Sequence, residues 1–350
     1  MAKKSIVGVV ILVILWGSLM IIIPIQLLSF RSSLYDHINE SRSFIYEPSS
    51  PSSIEKLYID ADEGNIEIRY INPPVDYFVL IDVNIALIGE NLVGKSFDDY
   101  LNISWNNSSS QINLKLKIIS DDWFNPLYWL KKEISIVVNI RKDIVFDIIT
   151  NLTKGNFEIT IPYGVSFRDL LTNVSNGNIL YNFEHCSIQG NIIGTINNGN
   201  LIFKSNDVQY AQNSSWDINT REGNIDIEVF QYRDIGANTT GIFKVNKGDI
   251  FIYYKDNSAD IGAMLEIPYG GEFMDKSGFP TCLLQVPGLI CTLVDGFDFN
   301  RIAQTTYEGI FYFTSDDLLA NIVKYYYNIR FEILEGDFDM DLTSIPSLFE

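Results

Sequence analysis

A short phrase returns throughout this 350-residue chain: glycine, then asparagine or aspartate, then a run of alternating apolar and polar residues. Between residues 155 and 248 the glycines that begin the phrase follow one another at steps of 22, 22, 24 and 25 residues. A period of this length indicates that each repeat is one supersecondary unit stacked on the next. The glycines concerned are Gly64, Gly155, Gly177, Gly199, Gly223, Gly248 and Gly336.

Each repeat predicts a sharp turn followed by a half-buried strand. Glycine followed by asparagine or aspartate can adopt a positive φ angle and turn the chain. Alternation with period two then puts Ile225 and Ile227 on one face of a strand and Asp226 on the other. The sequence therefore predicts an all-β fold, a parallel β-solenoid with successive coils over residues 155–254. The side chains expected in its interior are Phe157, Ile159, Ile179, Leu201, Ile225, Ile227 and Ile250.

Further strands are predicted at residues 79–83, 112–118 and 134–140, which are rich in aliphatic and β-branched residues. Two short helical turns are conceivable, around residues 126–132 and 316–323. We divide the chain into a cytoplasmic tip (1–5), a transmembrane signal anchor (6–30), a stalk (31–53), a β-rich part (54–133) and the solenoid (134–350).

Residues 6–30 contain no charged side chain, and about 20 apolar residues suffice to cross a bilayer. The apolar run is longer than that of a cleaved signal peptide and ends without a convincing cleavage site, which favours an uncleaved anchor. Lys3 and Lys4 precede it, so the positive-inside tendency places everything after Arg31 outside the cell.

An external location agrees with eight Asn-x-Ser/Thr sequons, all beyond the apolar run, that a glycosylating compartment could modify. They begin at Asn39, Asn102, Asn106, Asn107, Asn151, Asn173, Asn213 and Asn238. Such triplets also arise by chance in a chain rich in Asn and Ser. Three cysteines suit an oxidising exterior that relies little on disulfides: Cys282 and Cys291 could be bridged or free, and Cys186 has no nearby partner.

The net charge of −19 argues against nucleic acid as a partner and against docking of the ectodomain on anionic lipid. Acidic clusters at residues 60–63, 295–298 and 337–341 are explained by outward strand carboxylates or, alternatively, by calcium binding. None has the spacing of a known calcium loop. We therefore expect neither a metal site nor a cofactor.

The segment from Gly89 to Ser96 matches the phosphate-binding pattern Gly-x4-Gly-Lys-Ser/Thr. A real phosphate loop opens a helix, whose unpaired N–H groups complete the site. Residues 97–108 do not favour a helix, so we predict a glycine hairpin and no nucleotide site. Glu184, His185 and Cys186 place acid, imidazole and thiol side by side, but neighbours on a strand point to opposite faces. We expect an inward Cys186 with a solvated His185, and no catalytic residues.

An aromatic stretch over residues 123–132 concentrates apolar surface in a loop-like context followed by two lysines. It either plugs and protects one end of the solenoid or forms an interface with a membrane or a partner. The candidate interface residues are Trp123, Phe124, Tyr128 and Trp129.

A second repeated motif is Ile-Pro-Tyr-Gly, which occurs at residues 161–164 and again at 267–270. Together with the Gly-Asn-Ile turns that follow residue 176, this pattern resembles the putative adhesin domain family of surface proteins. The resemblance is best over residues 134–254. It implies a parallel β-solenoid exposed at a prokaryotic cell surface, and it supplies no catalytic residues. Residues 54–133 and the loop at 279–291 depart from the family's simple pattern.

These observations favour a single-pass surface protein with an adhesin-like or structural role, which binds a surface protein or a glycan. The first alternative is an enzyme acting on polysaccharides, which would need carboxylates converging on one groove. The second is a sensory ectodomain, which the five residues before the anchor disfavour.

Overall fold

The computed structural model describes residues 36–48, 52–90, 92–108, 110–211, 214–256, 261–268, 289–291, 297–301, 310–315, 318, 323–336 and 338–344. The predicted anchor at residues 6–30 lies outside these ranges, as does most of the loop at 279–291. In the described part of the chain, no helix has the length and apolar character needed to span a bilayer.

The elements are almost all strands, as the sequence predicts. The strands of the first part are β1 (Asp36–Tyr46), β2 (Glu55–Glu63), β3 (Asn65–Ile71), β4 (Val79–Gly89), β5 (Leu101–Asn107), β6 (Gln111–Ile118) and β7 (Trp129–Arg141), with 3-10 helices at Phe97–Asp99 and Asp121–Phe124. The central strands are β8 (Phe146–Lys154), β9 (Phe157–Ile161), β10 (Ser166–Phe167), β11 (Leu170–Asn176), β12 (Ile179–Glu184), β13 (Ser187–Ile188), β14 (Ile192–Asn198), β15 (Leu201–Asn206), β16 (Gln209–Tyr210), β17 (Ser215–Glu222), β18 (Ile225–Gln231), β19 (Thr239–Lys247) and β20 (Ile250–Asp256). The last strands are β21 (Ile261–Pro268), β22 (Leu289–Cys291), β23 (Phe297–Arg301), β24 (Ile310–Ser315), β25 (Tyr325–Glu335) and β26 (Phe338–Ser344).

The central strands form parallel coils, each of which passes through more than one sheet. Sheet A joins β9, β12, β15, β18 and β20, sheet B joins β8, β11, β14, β17 and β19, and sheet C joins β10, β13 and β16. Ile179 lies opposite Phe157 on one side and Leu201 on the other, and Ile225 lies opposite Ile250. The predicted parallel arrangement over residues 155–254 is therefore confirmed. We call residues 146–256 the coil stack.

The order of coils differs from the order of the chain at both ends. Strands β2 and β3 pair in parallel with β8 and β9, although 74 residues separate Ile71 from Phe146. Likewise β25 and β26 pair in parallel with β19 and β20. Antiparallel pairing occurs where β24 meets β21 and β23.

The glycines of the repeated phrase form one column. All seven have φ between +133° and +148°, a region that side-chain-bearing residues rarely adopt. A Cβ atom on Gly177 would lie 1.6 Å from the carbonyl oxygen of Gly155 in the neighbouring coil, and one on Gly199 would lie 1.7 Å from that of Gly177. Glycine is required because the turns of successive coils touch backbone to backbone.

The residue after each glycine forms a second ladder. The backbone N–H of Asn178 donates to Oδ1 of Asn156 at 3.0 Å, and that of Asn200 donates to Oδ1 of Asn178 at 2.9 Å. The same bond joins Asn224 to Asn200 and Asp249 to Asn224. Each side-chain oxygen thus satisfies a backbone donor of the next turn.

The interior of the coils is filled by the predicted side chains. All seven residues expected inside are at most 1% exposed. Trp216 adds an aromatic centre, with its ring 4.8 Å from that of Phe203 and 5.6 Å from that of Tyr327. Burying one large aliphatic side chain contributes about 1.5–3 kcal/mol, so the aligned columns supply a large share of the stability.

The chain also contains a smaller compact unit, which we call unit 1. It consists of Asn84–Leu101 and Ile118–Glu133 together with residues 36–41.

Two features of the structure differ from the sequence prediction. Residues 36–46 form β1 within the predicted stalk, and Ile38 and Tyr46 are buried. Residues 129–132 begin β7 instead of continuing a helical turn, while the 3-10 turn lies earlier, at Asp121–Phe124. The side chains of 129–141 alternate in burial from Glu133 onward, which favours a strand.

Candidate functional site

The third side of the coils carries a polar cluster that sequence reasoning did not assemble. Sheet C is short, and the chain enters its strands through tight corners where His185 and Asp207 have φ of 50° and 54°. A positive φ is uncommon for residues other than glycine and is often found at functional positions. Arg233, 48 residues from His185 in sequence, reaches the same corner. We call Tyr163, His185, Asp207 and Arg233 the corner cluster.

Asp207 is the hub of the corner cluster. Its carboxylate is buried and accepts hydrogen bonds from the backbone N–H groups of Tyr232 (3.1 Å) and Arg233 (2.8 Å). The Nε of Arg233 also donates to it. A buried carboxylate is tolerated only when it is paired and hydrogen-bonded, and these donors meet that condition. Asp207 therefore fixes the position of the Arg233 guanidinium.

His185 and Asp207 both contact the guanidinium of Arg233. Nη2 of Arg233 lies 2.7 Å from Nδ1 of His185, and the same ring nitrogen lies 3.1 Å from Oδ2 of Asp207. The imidazole of His185 therefore contacts both members of the Asp207–Arg233 ion pair through the same ring nitrogen. The sequence prediction of a merely solvated His185 was thus incomplete, since the ring is half-exposed but has two charged neighbours.

The corner cluster borders a cleft of about 280 Å³, lined also by Ser166, Ser187 and Gln209. The exposed ring of Tyr163 lies 6.1 Å from the imidazole in an edge-on arrangement. An aromatic face beside a guanidinium and short polar side chains can recognise a polar ligand through stacking and hydrogen bonds.

Cys186 faces the interior, as predicted. Burial raises the pKa of its thiol to about 12, so the thiol is protonated at neutral pH. The reactive form of a cysteine is the thiolate. The adjacent Glu184, His185 and Cys186 therefore do not converge as a nucleophile and its base.

The phosphate-loop pattern begins at Gly89, the last residue of β4, and does not form a hairpin, so that prediction was wrong. Strands β4 and β5 belong to different sheets, and the chain between them ends in the 3-10 helix Phe97–Asp99. Asn91 lies outside the described residues. Lys95 Nζ is 3.8 Å from a carboxylate oxygen of Asp99, one turn later. A three-residue helix that itself contains two aspartates does not supply the row of free N–H groups that phosphate requires.

The acidic cluster at residues 60–63 forms ion pairs with the side chain of Lys117. Lys117 Nζ donates to Asp60 Oδ1 at 3.1 Å and to Asp62 Oδ1 at 3.0 Å. Partial burial lowers the pKa of Lys117, but the bonds to Asp62 and Asp60 outweigh it and raise that pKa above its usual value. Asp295 and Asp337 lie outside the described residues. Within the described ranges, no group of three or more acidic, histidine or cysteine side chains could hold a metal ion.

The aromatic stretch of unit 1 divides into an inner and an outer set. Trp123 is buried, and its ring lies 5.6 Å from that of Trp129, which meets Tyr100 edge-on at 5.2 Å. Tyr128 and Trp129 are half-buried, whereas Phe124 is exposed. Leu127 and Leu130, which sequence reasoning did not single out, are exposed too.

The sequons occupy different environments. Asn39, Asn102, Asn106, Asn107, Asn173 and Asn238 are exposed, and Asn151 is half-buried. Nδ2 of Asn151, where a glycan would be attached, donates to the hydroxyl of Tyr58 at 3.1 Å. Asn213 and Cys282 lie outside the described residues, and the side chain of Cys291 does too, so the predicted disulfide stays a prediction.

A wider cleft of about 730 Å³ lies near the end of the coil stack, lined by Ser214, Asn238, Thr240, Lys324 and Tyr325 among others. Lys324 Nζ donates to Asp234 at 3.1 Å. The sequence offered no signal for this cleft, because its walls come from segments about 90 residues apart.

The chain is similar to several solved structures. One is a "putative cell adhesion protein" from Clostridium sporogenes, with 10% sequence identity, a TM-score of 0.34, and coverage of 88% of this chain and 100% of that one. A second is a "putative adhesin" from Bacteroides fragilis, with 10% identity, a TM-score of 0.31 and coverage of 87% and 96%. A third, from Parabacteroides merdae and of the same description, has 10% identity, a TM-score of 0.28 and coverage of 63% and 90%.

These descriptions agree with the family that the sequence resembles. No family model matches the chain, and no curated protein matches it. Because the TM-scores are low, the fold is established here by the strand pairings of the chain itself.

Proposed function

We propose that this chain is a single-pass, membrane-anchored surface protein whose β-solenoid ectodomain has an adhesin-like binding or structural role and performs no catalysis. The observation that carries the proposal is the division of side chains in the coil stack. The repeat directs its large aliphatic residues inward, while the outer sheet faces and the cleft beside the corner cluster are open to solvent. A rigid scaffold with a built polar cleft suits recognition.

The location is proposed from the sequence. The uncharged residues 6–30 would span the membrane with Lys3 and Lys4 inside. Asn102, Asn106 and Asn107 are exposed and would be accessible for glycosylation. Residues from 32 onward would then lie outside the cell.

Protease added to intact cells tests this topology. The ectodomain should be degraded, and a small fragment that retains the amino terminus should survive in the membrane. A chain that is protected until the cells are lysed, or one released into the medium with a new amino terminus near Arg31, would contradict the proposal.

The corner cluster is the proposed contact for a surface protein or glycan. A screen of immobilised glycans and surface proteins should identify a ligand whose binding is lost on Arg233→Gln and retained on Arg330→Gln. Arg330 is a suitable control because it is an exposed arginine of β25 outside the cleft. Equal binding by both variants would exclude the corner cluster.

A further inference from the structure

Unit 1 exposes an unusual share of large apolar side chains. Five of the ten that are exposed in the described residues lie in it: Val93, Ile119, Phe124, Leu127 and Leu130. Single exposed apolar residues are normal on a protein surface, but their concentration in one small unit is the mark of an interaction site. Three of them, Phe124, Leu127 and Leu130, fall within seven residues and are 69%, 82% and 63% exposed. We call these three the apolar platform.

The platform is held in place by the residues between its members. The backbone N–H of Leu127 donates to Oδ1 of Asn125 at 3.1 Å, and that of Tyr128 donates to the Asn125 carbonyl at 3.2 Å. Nε1 of Trp129 donates to the carbonyl of Asp122 at 3.0 Å. The turn is therefore pre-formed, and the three apolar side chains project from a fixed backbone.

A lysine supports the platform from within. Nζ of Lys132 lies 4.5 Å from the centre of the Trp123 ring and donates to the Trp123 carbonyl at 3.1 Å. Aromatic residues with nearby lysines, and an apolar edge facing outward, are the arrangement found at membrane interfaces. Trp123 itself is buried and acts as the support of the platform instead of its contact.

The position of the platform in the chain identifies the occupant. Unit 1 includes residues 36–41, so it begins six residues after Phe30, the end of the proposed span. Six residues reach at most about 20 Å, which keeps this unit next to the bilayer surface. A surface so close to lipid, with exposed Phe and Leu side chains, would gain free energy by entering the headgroup region.

The charges of unit 1 select the kind of lipid. Asp98, Asp99, Asp121 and Asp122 are exposed around the two 3-10 helices. Carboxylates are repelled by an anionic leaflet, so an uncharged or zwitterionic headgroup fits this surface better. We propose that the apolar platform of Phe124, Leu127 and Leu130 inserts into the zwitterionic lipid surface next to the anchor and holds unit 1 on the membrane. This inference rests on the anchored topology proposed above.

Photo-crosslinking tests the proposal on the full chain in phosphatidylcholine vesicles. Phe124 is replaced by p-benzoylphenylalanine, and the control carries the same group at Tyr163, which is also 69% exposed but lies in the corner cluster. Lipid adducts at position 124 should exceed those at position 163 by at least about fivefold, since insertion places the group among acyl chains. The double change Leu127→Ser and Leu130→Ser should lower the adducts at position 124 without releasing the chain from vesicles.

The outcomes separate the two proposals. If the chain floats with the vesicles but position 124 yields no more lipid adduct than position 163, the anchor stands and the platform inference fails. Adducts to a second copy of the chain would also overturn it, because the platform would then be a subunit interface. If the chain does not float with vesicles, the anchored topology fails, and the platform inference fails with it.

Discussion

The coil stack buries most of its large apolar side chains, whereas unit 1 leaves several of them exposed to solvent. In the coil stack the alternation of the repeat turns Ile225, Ile227 and Val229 inward. Each of them is in register with one residue of the preceding coil and one of the following coil, as Ile225 is with Leu201 and Ile250. In unit 1 no repeat exists, and Phe124, Leu127 and Leu130 remain in contact with solvent. The comparison teaches that the repeated sequence encodes a scaffold, whereas the unrepeated sequence carries a surface suited to a partner.

The largest loss of folding stability is expected from substitutions in the glycine column. Gly177→Ala forces a Cβ against the carbonyl of Gly155 and keeps φ near +148°, so it should cost more than about 4 kcal/mol. Gly94→Ala in unit 1 is the control, because its φ is +71° and, in the part of the chain that the structure describes, no atom beyond its chain neighbours lies within 4 Å of the added Cβ. It should cost about 1–2 kcal/mol. Urea unfolding of the full chain in detergent measures both, and equal losses would contradict the stacked column.

The next largest loss of folding stability is expected when a buried aliphatic side chain is truncated, in contrast to an exposed one. Ile227→Ala should destabilise the chain by about 2–5 kcal/mol, because it leaves a cavity in the core. Leu127→Ala in unit 1 should change stability by no more than about 0.5 kcal/mol, since that side chain is already exposed. The same urea unfolding assay measures both changes in stability. A large loss of stability on Leu127→Ala would show that the apolar platform is part of the folded core.

A smaller, pH-dependent effect comes from buried tyrosines of the stack. Burial, and then the charge of Asp256, raise the pKa of Tyr254 well above its usual value. The unfolded chain loses this proton above about pH 10 while the folded chain keeps it, so stability falls as pH rises. Between pH 10 and 11 the Tyr254→Phe chain should therefore lose about 1 kcal/mol less stability than the unaltered chain. Parallel unfolding curves at pH 8, 10 and 11 measure this, and identical slopes for both chains would refute it.

The smallest effect concerns the asparagine ladder. Asn178→Ala removes the acceptor of the Asn200 N–H and should cost about 1 kcal/mol. Asn182→Ala removes an amide that donates to Glu184 two residues along the same strand, and it should stay within about 0.5 kcal/mol. If the two variants were equally stable, the ladder would contribute nothing beyond an ordinary surface contact.

The sequence predicted the coil stack well because each coil repeats one set of physical requirements. Gly177 needs a positive φ, the next residue bonds to the next turn, and alternation decides what is buried. Gly64 and Gly336 carried the same phrase, which indicates membership in the same column despite their distance along the chain.

Other features depend on contacts that local patterns do not encode. The corner cluster unites Tyr163, His185, Asp207 and Arg233 only after four successive coils have formed. Its corners are occupied by His and Asp instead of glycine, so the usual turn signal was missing. In unit 1 the pattern marked the aromatic stretch, but burial of Trp123 and exposure of Leu127 follow from packing that no periodicity reports.

Labelling of one new cysteine on intact cells tests the central claim that the coil stack is displayed outside the cell. Tyr163→Cys places a thiol at an exposed corner, and the unaltered chain supplies the background from its native cysteines, of which Cys186 is buried. A membrane-impermeant maleimide should label the Tyr163→Cys chain as fully on intact cells as after lysis. Labelling that occurs only after lysis would contradict the account.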